Sequence, residues 1–388
     1  MTSEDGKSGR KRIAFIKRGL FSYSNVRTGE QLRRVFPEYE VEEIDVEERF
    51  LRKRKGIALW NWLQTLRIYG GAIAARRHSP GICFMRTPYI FRKLREWVRE
   101  EIGARKSEYA FTFQTQSLFN ASVPGLPHFV YTDHAHLTNL SYPAFSRECL
   151  FAREWIDLEQ DVYRHADHIF VMSEHVRESL RDRYQCPPER SSCVYAGSNV
   201  DPTPLPLNND GYTNKTIVFV GGEWERKGGP TLLSAFQRVL ENIPDARLVI
   251  VGCKPTVSSP RIEVLGRVSH EEVKAQLARA SVLCLPTRVE PFGIAVIEAY
   301  YQQLPVVVSR IGAMPHLVKH GETGLLVEPD DAGALASALI DLLSNPEKCA
   351  AFGKNGAEFV QGRFSWDAVG ERIAAKLREC VGGGMTNV

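Results

Sequence analysis

Two glutamates with seven residues between them, Glu290 and Glu298, stand in the stretch RVEPFGIAVIEA at 288–299. Glu290 belongs to a turn with Pro291, Phe292 and Gly293, at the mouth of any cleft there. Glu298 sits among Ala295, Val296, Ile297 and Ala299, residues suited to burial. On a helix that begins near Gly293, Glu298 lies about five residues in, roughly 7–8 Å along the axis. The two carboxylates can then meet opposite ends of an extended ligand, and each can take two hydroxyls at once, as the vicinal diols of a sugar or ribose require. The plainer alternative makes Glu290 an acid at a helix N-terminus and Glu298 the buried partner of an arginine. A second cluster, GEWERKGG at 222–229, places Arg226 and Lys227 beside Gly228 and Gly229. Two cations at a glycine-permissive turn before a helix make a receptor for a diphosphate. A third, FVYTDHAH at 129–136, sets Asp133, His134 and His136 at the end of an apolar run, with capping of the next turn as the structural alternative for Asp133.

These clusters need strands that end at a common cleft. Short apolar runs at 12–17, 39–46, 109–114, 128–133, 168–173 and 192–197 predict one set of strands, and those at 216–221, 247–252, 262–266, 282–287 and 305–309 a second. Continuous rather than alternating apolar runs imply burial on both faces, hence parallel sheets covered by helices. Helical patterns lie between them, at 147–165 and 175–184 in the first set, and near 229–241, 270–279, 293–303 and 332–344 in the second. DPTPLPLNNDGYTN, residues 201–214, is the natural linker. The expected organisation is an α/β chain of two doubly wound domains, 1–200 and 215–365, with a closing helix and tail at 366–388. In such sheets ligands bind outside the carboxyl ends of the strands.

The chain of 388 residues has 50 Lys and Arg against 46 Asp and Glu, a balance that argues against a nucleic-acid partner. The charge is uneven, however. Residues 49–106 carry fifteen Lys or Arg and three Glu, a surplus that suits a membrane surface, a lipid-linked phosphate or an acidic glycan, or else a solvated face neutralised from elsewhere in the fold. Within it, IALWNWLQTLRIYGGAIAARR at 57–77 either packs its aromatics against the first domain, the preferred arrangement, or lies on a membrane interface. Eight scattered cysteines without a CxxC pair, no apolar leader and no run of 18 apolar residues predict a cytoplasmic protein, peripheral at most to the inner membrane face.

The segment around Glu290 and Glu298 strongly resembles the E-x7-E motif of retaining glycosyltransferases of family 4. LPVVVSRIGAMPHLVKHGETGLLVEPDDAGALASAL at 304–339, FSWDAVGERI at 364–373 and VYAGSNVDP at 194–202 resemble the same family, closely over roughly 165–380 and in outline before that. The resemblance implies a GT-B fold, two Rossmann-like domains facing a central cleft with the C-terminal helix crossing back to the first. It implies transfer of a hexose from a nucleotide diphosphate sugar, UDP- or GDP-linked, to a hydroxyl of a glycan or lipid-linked acceptor, with no metal and no other cofactor; the absence of a DxD agrees. Glu290 would contact the donor sugar, the amides of Phe292, Gly293 and Ile294 its hydroxyls and phosphate, and Glu298 the ribose. Lys227 and Arg226 would neutralise the diphosphate, and Asp133 or His134 would touch the sugar. Departures are visible. Gly222 stands where the family often has an arginine, GAMPH carries Ala313 and His316 in place of Gly and Glu, and RGLFSYSNVRTGE at 18–30 lacks a Gly-Gly pair, leaving Gly19, Arg27, Thr28 and Gly29 to approach phosphate or acceptor. They allow a non-catalytic sugar-nucleotide binder or scaffold on the same fold as an alternative.

Overall fold

The computed structural model describes residues 10–19, 23–205 and 212–382, so part of the expected linker and part of the 18–30 loop lie outside the described residues. The first sheet comprises β1 (Arg12–Lys17), β2 (Glu40–Asp45), β3 (Tyr109–Thr115), β4 (His128–Thr132), β5 (His168–Val171) and β6 (Ser191–Cys193). The second comprises β7 (Thr216–Val220), β8 (Arg247–Val251), β9 (Ile262–Gly266), β10 (Val282–Leu285), β11 (Val306–Ser309) and β12 (Gly324–Val327). Their orders are β2-β1-β3-β4-β5-β6 and β12-β11-β10-β7-β8-β9, with every pairing parallel. The strand β12 has no counterpart among the expected elements because GLLV is short and sits in a glycine-rich run. Of the run 192–197 only the first residues pair as strand; the remainder is irregular.

Burial follows sheet position. The inner strands β4, β10 and β11 are buried at every residue, whereas the edge strand β2 is mostly half-exposed. That edge carries Glu42 and Glu43, which pair with Arg49 and Arg105, and with Lys17 and Arg33. A row of ion pairs on an edge strand discourages edge-to-edge association. Burying each Leu or Val of β10 and β11 contributes about 1.5–3 kcal/mol against leaving it in water.

The helix Trp366–Gly382 crosses back to the first half of the molecule. Its Trp366 Nε1 donates to Ser198 O at 3.0 Å, and Arg378 Nη2 donates to Val35 O at 2.7 Å, at the end of the helix Tyr23–Val35.

The helix Lys55–Ala74 departs from the preferred expectation. Tyr69 is buried, but Leu59, Trp60, Trp62, Leu63, Leu66 and Ile68 are 39–68% exposed. Only Tyr69, Asn61 and Thr65 turn fully inward, because the space below is already filled by the segment 83–87: Asn61 Nδ2 donates to Phe84 O at 2.7 Å and Tyr69 OH to Arg86 O at 2.6 Å. Part of the basic surplus is neutralised by the fold, with Arg92 on Glu154 and Arg95 on Asp161. Lys53, Lys55, Arg67 and Arg76, on or beside the exposed helix, have no ion pair among the described residues.

Candidate active site

In each sheet the strand order reverses about its first strand, between β1 and β3 in one and between β7 and β10 in the other. Ligand sites belong at the carboxyl ends of strands flanking such a reversal. Those ends face one another across a cleft of about 820 Å³. Arg18, Thr115, Gln116, Asp133 and His134 lie on one wall, Arg226, Lys227, Val289, Glu290, Phe292 and Gly293 on the other.

Two turns build the second wall. Gly228 has φ +76 and caps the helix Gly229–Asn242; a Cβ there would stand 1.8 Å from Pro286 O, so only glycine lets the turn lie against the end of β10. Gly293 has φ +104 and caps the helix Ile294–Tyr301, with a would-be Cβ 2.2 Å from Met314 Cε. The first hydrogen bond beyond that cap runs from Val296 N to Gly293 O at 3.0 Å. The amides of Phe292, Gly293 and Ile294 precede it, at the positive end of the helix, where a polarised or anionic oxygen is favoured.

Lys227 and Glu290 meet between these turns as an ion pair, their side chains 13% and 7% exposed. Glu290 lines the cleft, as its turn position implies, and does so as an ion-paired carboxylate. It is drawn inward because Ala313 N donates to its carbonyl at 3.1 Å and the lysine reaches it from the facing turn. Arg226 pairs with Glu223 and donates from Nη1 to Val289 O at 2.7 Å, tying the two turns together.

Glu298 is 5% exposed and does not line this cleft. Nor does it meet an arginine among the described residues: Asn199 N donates to Oε1 at 3.2 Å, and the amide of Val200 is a second donor. Burial pushes its carboxyl up to about 7, against the pull of those two amides.

Across the cleft, Asp133 and His134 both face the cavity, at the carboxyl end of β4. Burial raises the Asp133 carboxyl, with Arg226 opposing and Glu290 adding to the effect. Burial also drives the His134 imidazole down to about 3, helped by Arg86, so the ring is neutral near pH 7; its Nδ1 is buried without a partner among the described residues. His136 points elsewhere in part, accepting from Phe151 N at 3.0 Å through Nε2.

Three expected residues stand apart. Gly19, at φ +52, donates its amide to Asp45 at 3.0 Å, Arg27 pairs with Glu30 at 2.8 Å, and Gly222 is exposed; none of the three lines the cleft. Arg27 instead borders a second hollow with Asn199, Val200, His270 and Trp366. Arg18, Arg86 and Gln116 were not foreseen. The signal for Arg86 was present in CFMRTPYI, a single cation in an apolar run, the same kind of irregularity that marks Glu298.

Residues 208–359 match the family described as Glycosyl transferases group 1, and residues 76–202 match Glycosyltransferase Family 4. A GDP-mannose-dependent monoacylated alpha-(1-6)-phosphatidylinositol monomannoside mannosyltransferase of Corynebacterium glutamicum is 34% identical over 186 residues, 43% of this chain and 49% of that protein. A D-inositol 3-phosphate glycosyltransferase of Corynebacterium efficiens is 29% identical over 260 residues, 58% of this chain and 60% of that protein. The chain thus spans about half the length of the curated relatives it matches. In fold it resembles sucrose-phosphate synthase of Thermosynechococcus elongatus, with a TM-score of 0.70 at 20% identity over 96% of this chain and 100% of that one. It likewise resembles Anabaena HepE in complex with UDP-glucose, with a TM-score of 0.66 at 14% identity over 95% and 99%. The two matched stretches, one in each half of the molecule, together span well over half of the residues, and the chain belongs to glycosyltransferase family 4, with the GT-B fold.

Proposed function

We propose that the protein is a retaining hexosyltransferase that takes its sugar from a nucleotide diphosphate donor. One observation carries the reading: the buried Lys227–Glu290 pair, with Arg226 beside it, at the N-terminal end of the helix Ile294–Tyr301 and inside the cleft between the two sheets. In this reading Lys227 and Arg226 stabilise the charge that gathers on the departing diphosphate, a preorganised electrostatic role that calls for no metal. Glu290 and the amides of Phe292, Gly293 and Ile294 hold the donor sugar, Glu298 takes the ribose, and Asp133 or His134 meets the sugar from the opposite wall. Gly222 is assigned the approach to the diphosphate, and Gly19 and Arg27 the periphery of the acceptor side. The leaving phosphate accepts the acceptor's proton on the face from which it departs, so the protein's contribution is alignment and charge stabilisation. We assign 1–200 to acceptor binding, 201–214 to the linker, 215–365 to the donor and 366–388 to the closing helix and tail.

The similar mannosyltransferases are GDP-mannose-dependent, which makes GDP-mannose the first donor to test, and UDP-glucose, bound in the HepE structure, the second. The relatives named for phosphatidylinositol mannosides support a lipid-linked or glycan acceptor. No helix among the described residues is long and apolar enough to cross a membrane. We assign the exposed face of the helix Lys55–Ala74, with Lys53, Lys55 and Arg67, to peripheral contact with the inner membrane face: aromatics and leucines enter the interface while the cations stay at headgroup level. A panel of GDP-, UDP- and ADP-sugars tests the donor assignment. One of them should raise the unfolding temperature and be hydrolysed slowly; no response to any would overturn it.

A further inference from the structure

Lys227 and Arg226 have carboxylate partners, but Arg86, on the other wall of the cleft, has none among the described residues. Its guanidinium lies over the rings of Phe151 and Trp155, 4.8 and 5.5 Å from their centroids. Its Nη1 donates to Ile82 O at 3.1 Å, and its Nε is buried without an acceptor among the described residues. The carboxylate that faces it, Glu159, is committed elsewhere: to Ser117 Oγ at 2.8 Å, to His136 N at 3.1 and 3.2 Å, and to Tyr184 OH. Arg18, at the carboxyl end of β1, also lines this wall; its Nε is buried, without a hydrogen-bond partner among the described residues, and 3.7 Å from Glu47. Burial pulls both guanidinium groups below their ordinary range, and Arg18 further depresses Arg86. Two like charges held in a half-enclosed wall are costly unless an anion joins them.

Two further polar side chains line the same cleft. Thr115 Oγ1 and Gln116 Oε1, at the end of β3, are buried, line the cleft and have no partner among the described residues. The rim of this wall is formed by Ser79, Gly81 and Ile82, and Ile82 is 49% exposed. That segment follows the helix Lys55–Ala74 in the chain, and Trp62 of that helix packs on Phe84 with ring centroids 4.8 Å apart.

Resting on the transferase reading above, we propose that Arg18 and Arg86 form a second anion site, distinct from the donor diphosphate site, that holds a phosphate carried by the acceptor, with Thr115 and Gln116 taking neighbouring hydroxyls. The acceptor class is thus a phosphorylated polyol or sugar, free or borne on a lipid. Planar, always-charged guanidinium groups suit bidentate phosphate contact better than lysine does.

The test uses the full chain saturated with the nucleoside diphosphate that protects it. Glycerol 3-phosphate is titrated by calorimetry, and vesicles of phosphatidylcholine with or without phosphatidylglycerol are added in a flotation assay. Glycerol 3-phosphate binding in the presence of nucleotide supports a free phosphate; binding to phosphatidylglycerol vesicles alone, weakened by Arg18→Gln, supports a lipid-borne one. Arg18→Gln and Arg86→Lys should each weaken the responding probe about tenfold or more, as loss of a charge-assisted hydrogen bond predicts, while nucleotide affinity stays within about twofold. Retained nucleotide binding shows that a variant is folded, and Arg18→Gln decides if Arg86→Lys is not. Failure of both probes on nucleotide-loaded protein, or unchanged probe binding in a variant that still binds nucleotide, overturns the second site. Failure of every nucleotide on the wild type overturns the transferase reading instead.

Discussion

Replacing Glu298 by glutamine should change how stability depends on pH in a direction fixed by its surroundings. The carboxyl is 5% exposed, and burial raises it from 4.5 to about 7. Between those values the folded chain keeps a proton that the unfolded chain has released. The stabilisation from this group is therefore complete below pH 4.5 and lost as pH rises through about 7. At about 1.4 kcal/mol per pH unit, the full difference is about 3 kcal/mol, of which about 2.5 kcal/mol falls between pH 5 and pH 8. The histidines act in the opposite sense. Burial takes His128, His134 and His136 down to about 3, so their contribution is present above pH 6.5 and lost on acidification. The wild-type profile mixes both effects, and only the difference between wild type and Glu298→Gln isolates the carboxyl. Urea unfolding at pH 5, 6, 7 and 8 should show the variant gaining on the wild type by about 2 kcal/mol or more across that range. A gap that stays flat within about 0.5 kcal/mol refutes the buried, protonatable state of Glu298.

Lys227→Met leaves Glu290 charged in a nearly closed site, so it should cost about 3–5 kcal/mol of stability, part of it recovered by Glu290→Gln in the double variant. If donor hydrolysis is detectable, the single lysine variant should lower its turnover far more than it weakens nucleoside binding. Gly293→Ala forces a side chain into φ +104 and against Met314, and should lower the unfolding free energy by about 2 kcal/mol or more; a change below about 0.5 kcal/mol would show that the turn relaxes freely. The double variant Trp60→Ser, Leu63→Ser changes exposed residues and should leave stability within about 0.5 kcal/mol while reducing binding to anionic vesicles; unchanged vesicle binding would remove this helix from any membrane contact.

Much of the fold was legible because its strands are continuous apolar runs: RIAFIK and IEVLG coincide with β1 and β9 residue for residue. GLLV was not, since four residues beside glycine carry too little periodicity to be distinguished from a loop. The helices Pro88–Gly103 and Pro346–Val360 also lacked a distinct expectation beforehand, though each begins with a proline in its first turn. At the site, Arg226, Lys227 and Glu290 were legible because neighbouring sequence and strand ends bring them together. The Lys227–Glu290 pairing was not, because it spans 63 residues and depends on the β7–β10 adjacency. The outward face of the helix Lys55–Ala74 is not legible in the sequence for a related reason. Its apolar residues run all round, and only the packing of the 83–87 segment beneath it decides which of them are left outside.

Transfer from a nucleotide sugar with retention at the anomeric carbon leaves its signature in the anomer released. Proton NMR of the protein incubated with GDP-mannose or UDP-glucose, read before mutarotation, tests it most directly. The expected result is slow donor consumption with the α-anomer formed first, abolished by Lys227→Met. First appearance of the β-anomer would contradict retention, and a donor panel left intact by folded protein would contradict the transferase assignment itself.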